Sequence, residues 1–212
     1  LFLIIGIKLF FPKVRIVYHI HNCSNRIDSN SNWLNHLLYS SAQVIYLSES
    51  FYSSSFPVNT RLYTLPNYSE FTVPIRSNLC SYSLICVANF DHFKGIYTLL
   101  QAVKKLLEVT SQYHLSLVGA EGDISLEELN NYIESIGIKS NVTIYHKISH
   151  SDVQKLLLRS SIMILVSEDE AMPMSLIEGC SLGLALISTD VGATKEIVME
   201  NYNGYLIDKS IE

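Results

Sequence analysis

The stretch from Ser167 to Gly204 constrains the fold of this chain more than any other, because it reads as two consecutive strand–loop–helix units. The apolar run from Ile162 to Val166 predicts a buried strand that leads into an acidic loop. A helix is then expected with Pro173 in its first turn, where the missing N–H of proline costs nothing, and with Gly183 at its end. A second buried strand, Leu184 to Ser188, completes a pattern that is typical of parallel α/β sheets.

The second of these strands runs into the loop Asp190-Val191-Gly192, and a further short helix is expected to begin near Thr194. In α/β folds, ligands bind beyond the carboxyl ends of parallel strands. The loops that follow the two strands are therefore expected to lie side by side at a ligand site.

Two glutamates, Glu170 and Glu178, lie on either side of the predicted start of the first helix. Glu170 would lie on the loop, and Glu178 about one turn inside the helix. Neither Ala171 nor Met172 can cap the helix with a side-chain oxygen, so its first N–H groups would suit a phosphate. A structural alternative is that both carboxylates are solvated and only complement the helix dipole.

The first part of the chain contains the elements of another α/β domain. The polar segment Ser69–Asn78 contains Pro74 and lacks apolar periodicity, which predicts an interdomain linker. We therefore predict two Rossmann-like α/β domains, residues 1–75 and 76–212. The predicted elements of the first are strands at Val14–His21, Gln43–Leu47 and Arg61–Leu65, a helix at Trp33–Tyr39, and a helix start at Ser48-Glu49.

The second predicted domain alternates strands with amphipathic helices, which favours a parallel sheet covered by helices on both faces. In the helix after Lys94-Gly95, the apolar residues Leu99, Leu100 and Val103 recur on one side. The predicted elements are strands at Tyr82–Ala88, Tyr113–Val118 and Asn141–Tyr145 and helices at Ile96–Val109, Leu126–Ile136 and Ser151–Leu158, the last capped by Ser149 or Ser151.

Composition and motif spacing argue against several classes of function. The net charge of −5 does not favour binding to nucleic acid. The 4 cysteines form no Cys-x-x-Cys pair, no metal-ligand spacing stands out, and no Gly-x-Gly-x-x-Gly follows a strand. We therefore expect no metal site, and free thiols in a reducing compartment. The apolar segment from Leu1 to Phe11 is too short to span a bilayer.

The motifs of both halves resemble those of glycosyltransferase family 4, which comprises retaining, nucleotide-sugar-dependent enzymes of the two-Rossmann GT-B fold. The donor-site signature of that family is matched by Glu170-Ala-Met-Pro173, Glu178-Gly179, Gly183–Ile187 and Gly192–Glu196. Marks of its first domain are matched by His21-Asn22, Ser48-Glu49 and Pro66-Asn67. The resemblance covers nearly the whole chain and implies a GT-B fold.

The resemblance also implies roles for individual residues. Glu170 and His21 are the implied catalytic residues beside the transferred sugar, with His19 as a rival to His21. Glu178 is the implied ligand of the ribose hydroxyls. The implied contacts of the diphosphate and the sugar are Asn89, Lys94, Met172, Pro173, Met174, Ser175, Gly192 and Ala193. Asn89 stands where the family has arginine, which puts the affinity for the diphosphate in question, and Ala193 stands where the family has glycine.

The implied activity is transfer of a sugar from a nucleotide-diphosphate sugar to an acceptor hydroxyl with retention, without a metal or cofactor. The partners would be the nucleotide sugar and a sugar or lipid-linked acceptor, in surface polysaccharide or glycolipid biosynthesis. The implied location is the cytoplasm, with peripheral association at the inner face of the membrane as an alternative. Two other functions stay open: a non-catalytic nucleotide-sugar-binding fragment and a GT-B nucleotide-sugar epimerase.

The ends of the chain predict a fragment. It lacks an initial methionine and ends soon after Gly204. We expect the second domain to lack only its last helices, and the first to be incomplete, without its first strands and glycine-rich turn. Because transfer needs both domains closed over a cleft, we expect these 212 residues to bind a nucleotide diphosphate without transferring a sugar.

Overall fold

A computed structural model describes residues 10, 13–21, 43–51, 61–71 and 82–208. These residues fall into two compact units. The first reaches to Asn67 and includes Glu170–Met172, and the second comprises Tyr68–Asp169 and the residues from Pro173 onward. The predicted domain boundary between residues 75 and 76 lies outside the described residues.

The first unit contains a parallel sheet. Its three described strands are β1 (Val17–Ile20), β2 (Gln43–Tyr46) and β3 (Arg61–Thr64), in that order. Alternate residues of the central strand β2 are buried, as expected for a pleated strand that packs on one face. The hydroxyl of Ser48 accepts the N–H of Ser50 at 3.0 Å, and a 3₁₀ helix follows at Glu49–Phe51, which confirms the predicted helix start. The helix predicted at Trp33–Tyr39 lies outside the described residues.

The second unit contains a larger parallel sheet, which confirms the predicted α/β class. The strand order is β6-β5-β4-β7-β8-β9, and every neighbouring pair is parallel. The order reverses between β4 and β7, which is where doubly wound sheets bind ligands. The strands are β4 (Ser83–Val87), β5 (His114–Gly119), β6 (Val142–His146), β7 (Ile162–Leu165), β8 (Ala185–Thr189) and β9 (Gly204–Ile207).

Helices connect these strands at the predicted positions. The N–H of Asp152 donates to the hydroxyl of Ser149 at 3.2 Å, so Ser149 caps the helix His150–Arg159. Of the two predicted caps, Ser149 and Ser151, the first is therefore confirmed. Within the described ranges, no helix combines the length and the apolar character needed to cross a membrane. The helices are α1 (Ile96–Val109), α2 (Leu126–Ser135), α3 (His150–Arg159), α4 (Met174–Ser181) and α5 (Thr194–Ile197).

The core of the second unit lies on both faces of its sheet. Leu84 and Cys86 of β4 pack in one cluster with buried residues of α1 and α2. Ile85, between them, packs in another cluster with buried residues of α3 and α4. Because neighbouring residues of a strand point to opposite faces, the helices cover both sides of the sheet, as predicted.

A hydrogen bond joins α1 to α2 at the surface. The hydroxyl of Tyr97 donates to Oε1 of Glu128 at 2.6 Å. Burial, followed by this hydrogen bond and the charge of Glu128, raises the pKa of Tyr97 to about 12. The raised pKa keeps the phenol protonated, and able to donate, into the alkaline pH range.

The start of α4 differs by one residue from the prediction. Pro173 occupies the N-cap position, with φ −68° and ψ 116°, and Met174 is the first helical residue. The extended ψ angle excludes Pro173 from the helix, although its fixed φ would be compatible with a first turn. The predicted end of the helix is confirmed, because Gly183 adopts a left-handed φ of +73° directly after the C-cap residue Leu182.

Candidate functional site

The loops that follow β4 and β7 meet at the carboxyl edge of the second sheet. The N–H of Glu168 donates to the carbonyl oxygen of Phe93 at 2.7 Å. Gly95 has a φ of +67°, and a Cβ atom there would overlap the carbonyl oxygen of Val166. Only glycine permits this close approach, so the Lys94-Gly95 turn is fixed beside the end of β7, where the strand order reverses.

Lys94 provides an ammonium group on the loop after β4. It is half-buried and ends the 3₁₀ helix His92–Lys94, directly before Gly95 and the start of α1. Its Nζ atom lies 4.9 Å from the centroid of the Phe93 ring, which is a cation–π distance. Asn89, on the same loop, is exposed and offers an amide without a charge.

Two glycines, one at the end of β5 and one in the loop that follows it, have a packing explanation. A Cβ atom on Gly119 would overlap the carbonyl oxygen of Ala88, and one on Gly122 would overlap the carboxylate of Asp91. That carboxylate also accepts the N–H of Asp123 at 3.1 Å. These contacts hold the loop after β5 against the loop after β4, and they account for both glycines without a ligand.

The N-terminus of α4 carries no side-chain cap. Pro173 makes no capping bond, and the N–H of Ile177 donates to its carbonyl oxygen at 3.3 Å. The N–H groups of the first helical residues, Met174 and Ser175, have no acceptor within the helix, which is the arrangement that binds anions. Met172 and Pro173, just before the helix, are buried.

Glu178 lies inside α4, and its side chain is only 11% exposed. Its Oε1 atom lies 2.9 Å from Nε2 of His150, the first residue of α3. The imidazole ring in turn stacks on Phe71, with ring centroids 4.8 Å apart and planes at 27°. Neither His150 nor Phe71 was predicted from the sequence as a site residue. One signal for His150 was available in the sequence. It directly follows the predicted cap Ser149, so it begins the helix after β6 and lies at the same edge of the sheet as the start of α4.

A buried hydrogen-bond network shapes the turn after β8. The hydroxyl of Thr194 donates to the carbonyl oxygen of Thr189 at 2.9 Å and accepts the N–H of Val191 at 3.0 Å. The hydroxyl of Thr189 donates to the carbonyl oxygen of Ser167 at 2.6 Å, which ties this turn to the loop after β7. Within the turn, Gly192 adopts a φ of +56°.

Ala193, next to Gly192, is fully buried at the N-cap position of α5. The carboxyl edge of the second unit therefore brings together the loops of Asn89 and Lys94, the start of α4, Glu178, and the turn of Gly192 and Ala193. These residues belong to the predicted donor site.

The two residues with implied catalytic roles belong to the first unit. His21 directly follows β1, is exposed, and its Nε2 atom lies 3.2 Å from Nδ1 of His19. Their ring centroids are 4.1 Å apart, so the two exposed histidines form an adjacent pair. This position does not favour His21 over His19 for the implied catalytic role. Glu170 is half-buried in the segment Glu170–Met172. The assignment of these catalytic roles remains a prediction.

His146 is the last residue of β6, paired in register with Gly119 of β5. Its Nε2 atom lies 3.7 Å from Oε2 of Glu121. The residues described here contain no group of three or more histidine, cysteine, aspartate or glutamate side chains that could hold a metal ion.

A protein-family profile described as "Glycosyl transferases group 1" matches residues 74–212. One component of the human phosphatidylinositol N-acetylglucosaminyltransferase is 29% identical over 123 residues, which are 57% of this chain and 25% of that protein. The N-acetyl-alpha-D-glucosaminyl L-malate synthase of Bacillus anthracis is 30% identical over 126 residues, which are 59% of this chain and 32% of that protein. The match therefore spans about a quarter to a third of these curated relatives.

Among solved structures, Anabaena HepE in complex with UDP superimposes with a TM-score of 0.77 at 18% sequence identity. The superposition covers 97% of this chain and 62% of HepE. At this identity the likeness shows a shared fold, in agreement with the α/β architecture described above.

Proposed function

This chain belongs to the glycosyl transferases group 1 family, and we propose that it supplies the donor site of an enzyme that transfers a sugar from a nucleotide-diphosphate sugar to an acceptor hydroxyl with retention at the anomeric carbon. One observation carries the proposal. The loops after β4, β7 and β8 meet at the carboxyl edge of the second sheet, where the strand order reverses. The loop after β4 carries the ammonium group of Lys94, the loop after β7 leads into the uncapped start of α4, and α4 itself carries the buried carboxylate of Glu178. A nucleotide diphosphate has chemical groups that complement all three.

The diphosphate binds, in this proposal, between Lys94 and the start of α4. The lysine acts as a point charge, and the N–H groups of Met174 and Ser175 add donors at the positive end of the helix dipole.

Further contacts to the donor come from other residues of the site. Asn89 donates a hydrogen bond from its amide. The remaining contacts come from Met172 and Pro173 before the helix and from the turn at Gly192 and Ala193.

Glu178 binds the ribose of the donor. A carboxylate that accepts two hydroxyl groups forms charge-assisted hydrogen bonds, which are stronger than neutral ones. Its low exposure supports this role, because a buried carboxylate keeps few competing waters. Glu170 acts beside the transferred sugar, and His21 acts on the acceptor side, with His19 in contact with it.

The proposed reaction proceeds on one face of the sugar. The bond between the anomeric carbon and the diphosphate oxygen breaks, and a bond to the acceptor oxygen forms on the same face. The departing diphosphate takes the proton of the acceptor hydroxyl. Lys94 and the start of α4 stabilise the negative charge that develops on the leaving group, and we propose no metal or cofactor for this step.

The acceptor is proposed to be a sugar or a lipid-linked molecule. The human relative is named for a phosphatidylinositol substrate, which supports a lipid-linked acceptor. With an acceptor of this kind, the protein would act in surface polysaccharide or glycolipid biosynthesis. It would work in the cytoplasm or, as the alternative, in peripheral association with the inner face of the membrane.

Two assays test the proposal. Calorimetry compares UDP, GDP and ADP with the corresponding nucleosides, and one diphosphate is expected to bind more tightly than its nucleoside. Incubation of a full-length protein with radiolabelled nucleotide sugars and candidate acceptors then identifies the products. A labelled acceptor supports transfer, an altered sugar without an acceptor supports an epimerase, and failure to bind any diphosphate contradicts the donor site.

A second candidate, a nucleotide-sugar-binding protein without turnover, is favoured by two substitutions in the donor site. Asn89 carries no charge where the family has arginine, and Ala193 replaces a glycine. Without a positive charge at residue 89, contacts to the leaving group are weaker. Binding of a nucleotide sugar without conversion by a full-length protein would favour this candidate over the transferase.

A further inference from the structure

The partner of Glu178 is an unassigned feature of the candidate site. Oε1 of this buried carboxylate lies 2.9 Å from Nε2 of His150, whose own side chain is 68% exposed. The two residues are on different helices, α4 and α3, which follow different strands. A contact between a buried acid and an exposed imidazole across two helices restricts where the carboxylate can point.

We propose that His150 is a positioning residue that fixes the carboxylate of Glu178 for the ribose hydroxyls of the donor. This inference rests on the proposed function. With Nε2 protonated, the imidazole donates to Oε1 and occupies one of about four lone-pair positions of the carboxylate. The other positions are left to accept the ribose hydroxyls.

The imidazole is itself held in place. One face stacks on the ring of Phe71, at 4.8 Å between centroids. His150 is the first residue of α3, and Ser149 caps this helix. Asp152 in the first turn is engaged by Lys155 and Ser149 at 2.6 and 2.7 Å, and these hydrogen bonds hold the pKa of Asp152 below its usual value. His150 is therefore attached to an ordered helix start.

Positioning matters because Glu178 lies where few waters can replace a missing partner. A buried carboxylate that loses its hydrogen bond rotates toward another donor or admits water. Either change misaligns it for two hydroxyl groups whose spacing the ribose fixes. Binding affinity is then lost from the contacts to the ribose hydroxyls, whereas the contacts to the base and the diphosphate are unchanged.

The test separates the hydrogen bond from the ring. His150→Phe keeps an aromatic ring on Phe71 and removes the donor, whereas His150→Gln keeps a donor and removes the ring. Calorimetry on the 212-residue chain measures the affinities for UDP, GDP and ADP and for their 2′,3′-dideoxy analogues. For the nucleotide that binds most tightly, the wild-type preference for the ribose form is expected to be about tenfold or more.

His150→Phe is expected to reduce that preference to about threefold or less, and His150→Gln to retain most of it. The matched control is His114→Ala. His114 is also exposed and hydrogen-bonded to a side chain, Thr143 at 2.9 Å, but it begins β5 at the opposite edge of the sheet. The control is expected to retain the full preference.

A double variant supplies the second readout. If His150 acts through Glu178, His150→Phe should add nothing to the loss of ribose preference caused by Glu178→Gln. Full ribose preference in His150→Phe, or equal losses for ribose and dideoxy forms, would overturn the positioning role while leaving the donor site intact. Failure of the wild type to bind any of the diphosphates would overturn the proposed function together with this inference.

Discussion

Gly95 packs directly against the carbonyl oxygen of Val166, so the loops after β4 and β7 are in main-chain contact at the reversal of the strand order. A side chain at residue 95 would separate them. Because Lys94 precedes Gly95, and the loop after β7 leads to the start of α4, this contact sets the spacing between the proposed ammonium and amide ligands of the diphosphate.

We therefore expect Gly95→Ala to destabilise the protein and to weaken binding of nucleotide diphosphates. A left-handed backbone costs a non-glycine residue about 1–2 kcal/mol, and overpacking adds about 1–3 kcal/mol. The control is Gly137→Ala, because Gly137 also has a positive φ, +77°, but a Cβ there meets nothing within 4 Å. Urea denaturation should give the larger loss for Gly95→Ala, and equal losses would contradict the role of the Val166 contact.

Lys94→Ala should weaken binding of a nucleotide diphosphate and leave nucleoside binding nearly unchanged. Loss of a hydrogen bond to a charged group costs about 1.5–3 kcal/mol, which corresponds to about 10- to 150-fold in affinity. Calorimetry with the diphosphate and the nucleoside measures the difference. Lys105→Ala, at an exposed position of α1, is the control. The assignment is wrong if both ligands lose affinity equally.

Glu178→Gln and Glu170→Gln should have different effects. Because Glu178 is proposed to hold the ribose in the ground state, its amide variant should weaken binding of the nucleotide itself. Glu170 is proposed to act beside the transferred sugar, and an interaction formed mainly in the transition state lowers kcat without raising KM. Steady-state kinetics of the full-length protein, paired with calorimetry, checks the division of roles. An equal rise in KM for both variants would refute it.

Thr194→Val should loosen the turn at Gly192 and Ala193. The hydroxyl of Thr194 is fully buried and makes two hydrogen bonds, so its replacement by a methyl group should cost about 1–3 kcal/mol of unfolding free energy. We also expect a severalfold weaker affinity for the diphosphate. Thr194→Ser keeps the hydroxyl and should retain that affinity. A diphosphate affinity unchanged in Thr194→Val would show that the turn does not contribute to binding.

Local signals in the sequence determined the elements of the second unit. Helix α1 occupies Ile96–Val109, as its apolar periodicity predicts, because one face must be buried against the sheet. Gly183 ends α4 because glycine adopts the left-handed conformation without a steric cost. The predicted position of Pro173 was wrong by one residue, since its ring fixes φ but leaves ψ to be set by the surrounding loop.

The candidate site was predicted in part. The order of motifs indicated that Lys94, Glu178 and Gly192 belong to loops or helix starts at one edge of a parallel sheet, because carboxyl ends of parallel strands share an edge. The roles of Glu170 and His21 stay predictions. Gly119 and Gly122 pack against Ala88 and Asp91, which shows a packing role that the spacing of the two glycines alone does not reveal.

The sequence by itself determined which residues are apolar, where helices can begin and end, and which motifs follow which strands. Only the tertiary structure decided that His150 meets Glu178, 28 positions away. That contact depends on the packing of α3 and α4 against the sheet, and a sequence pattern carries no distance between elements that are not neighbours in the chain. The same holds for Gly95 and Val166, because their contact arises from the pairing of β4 with β7.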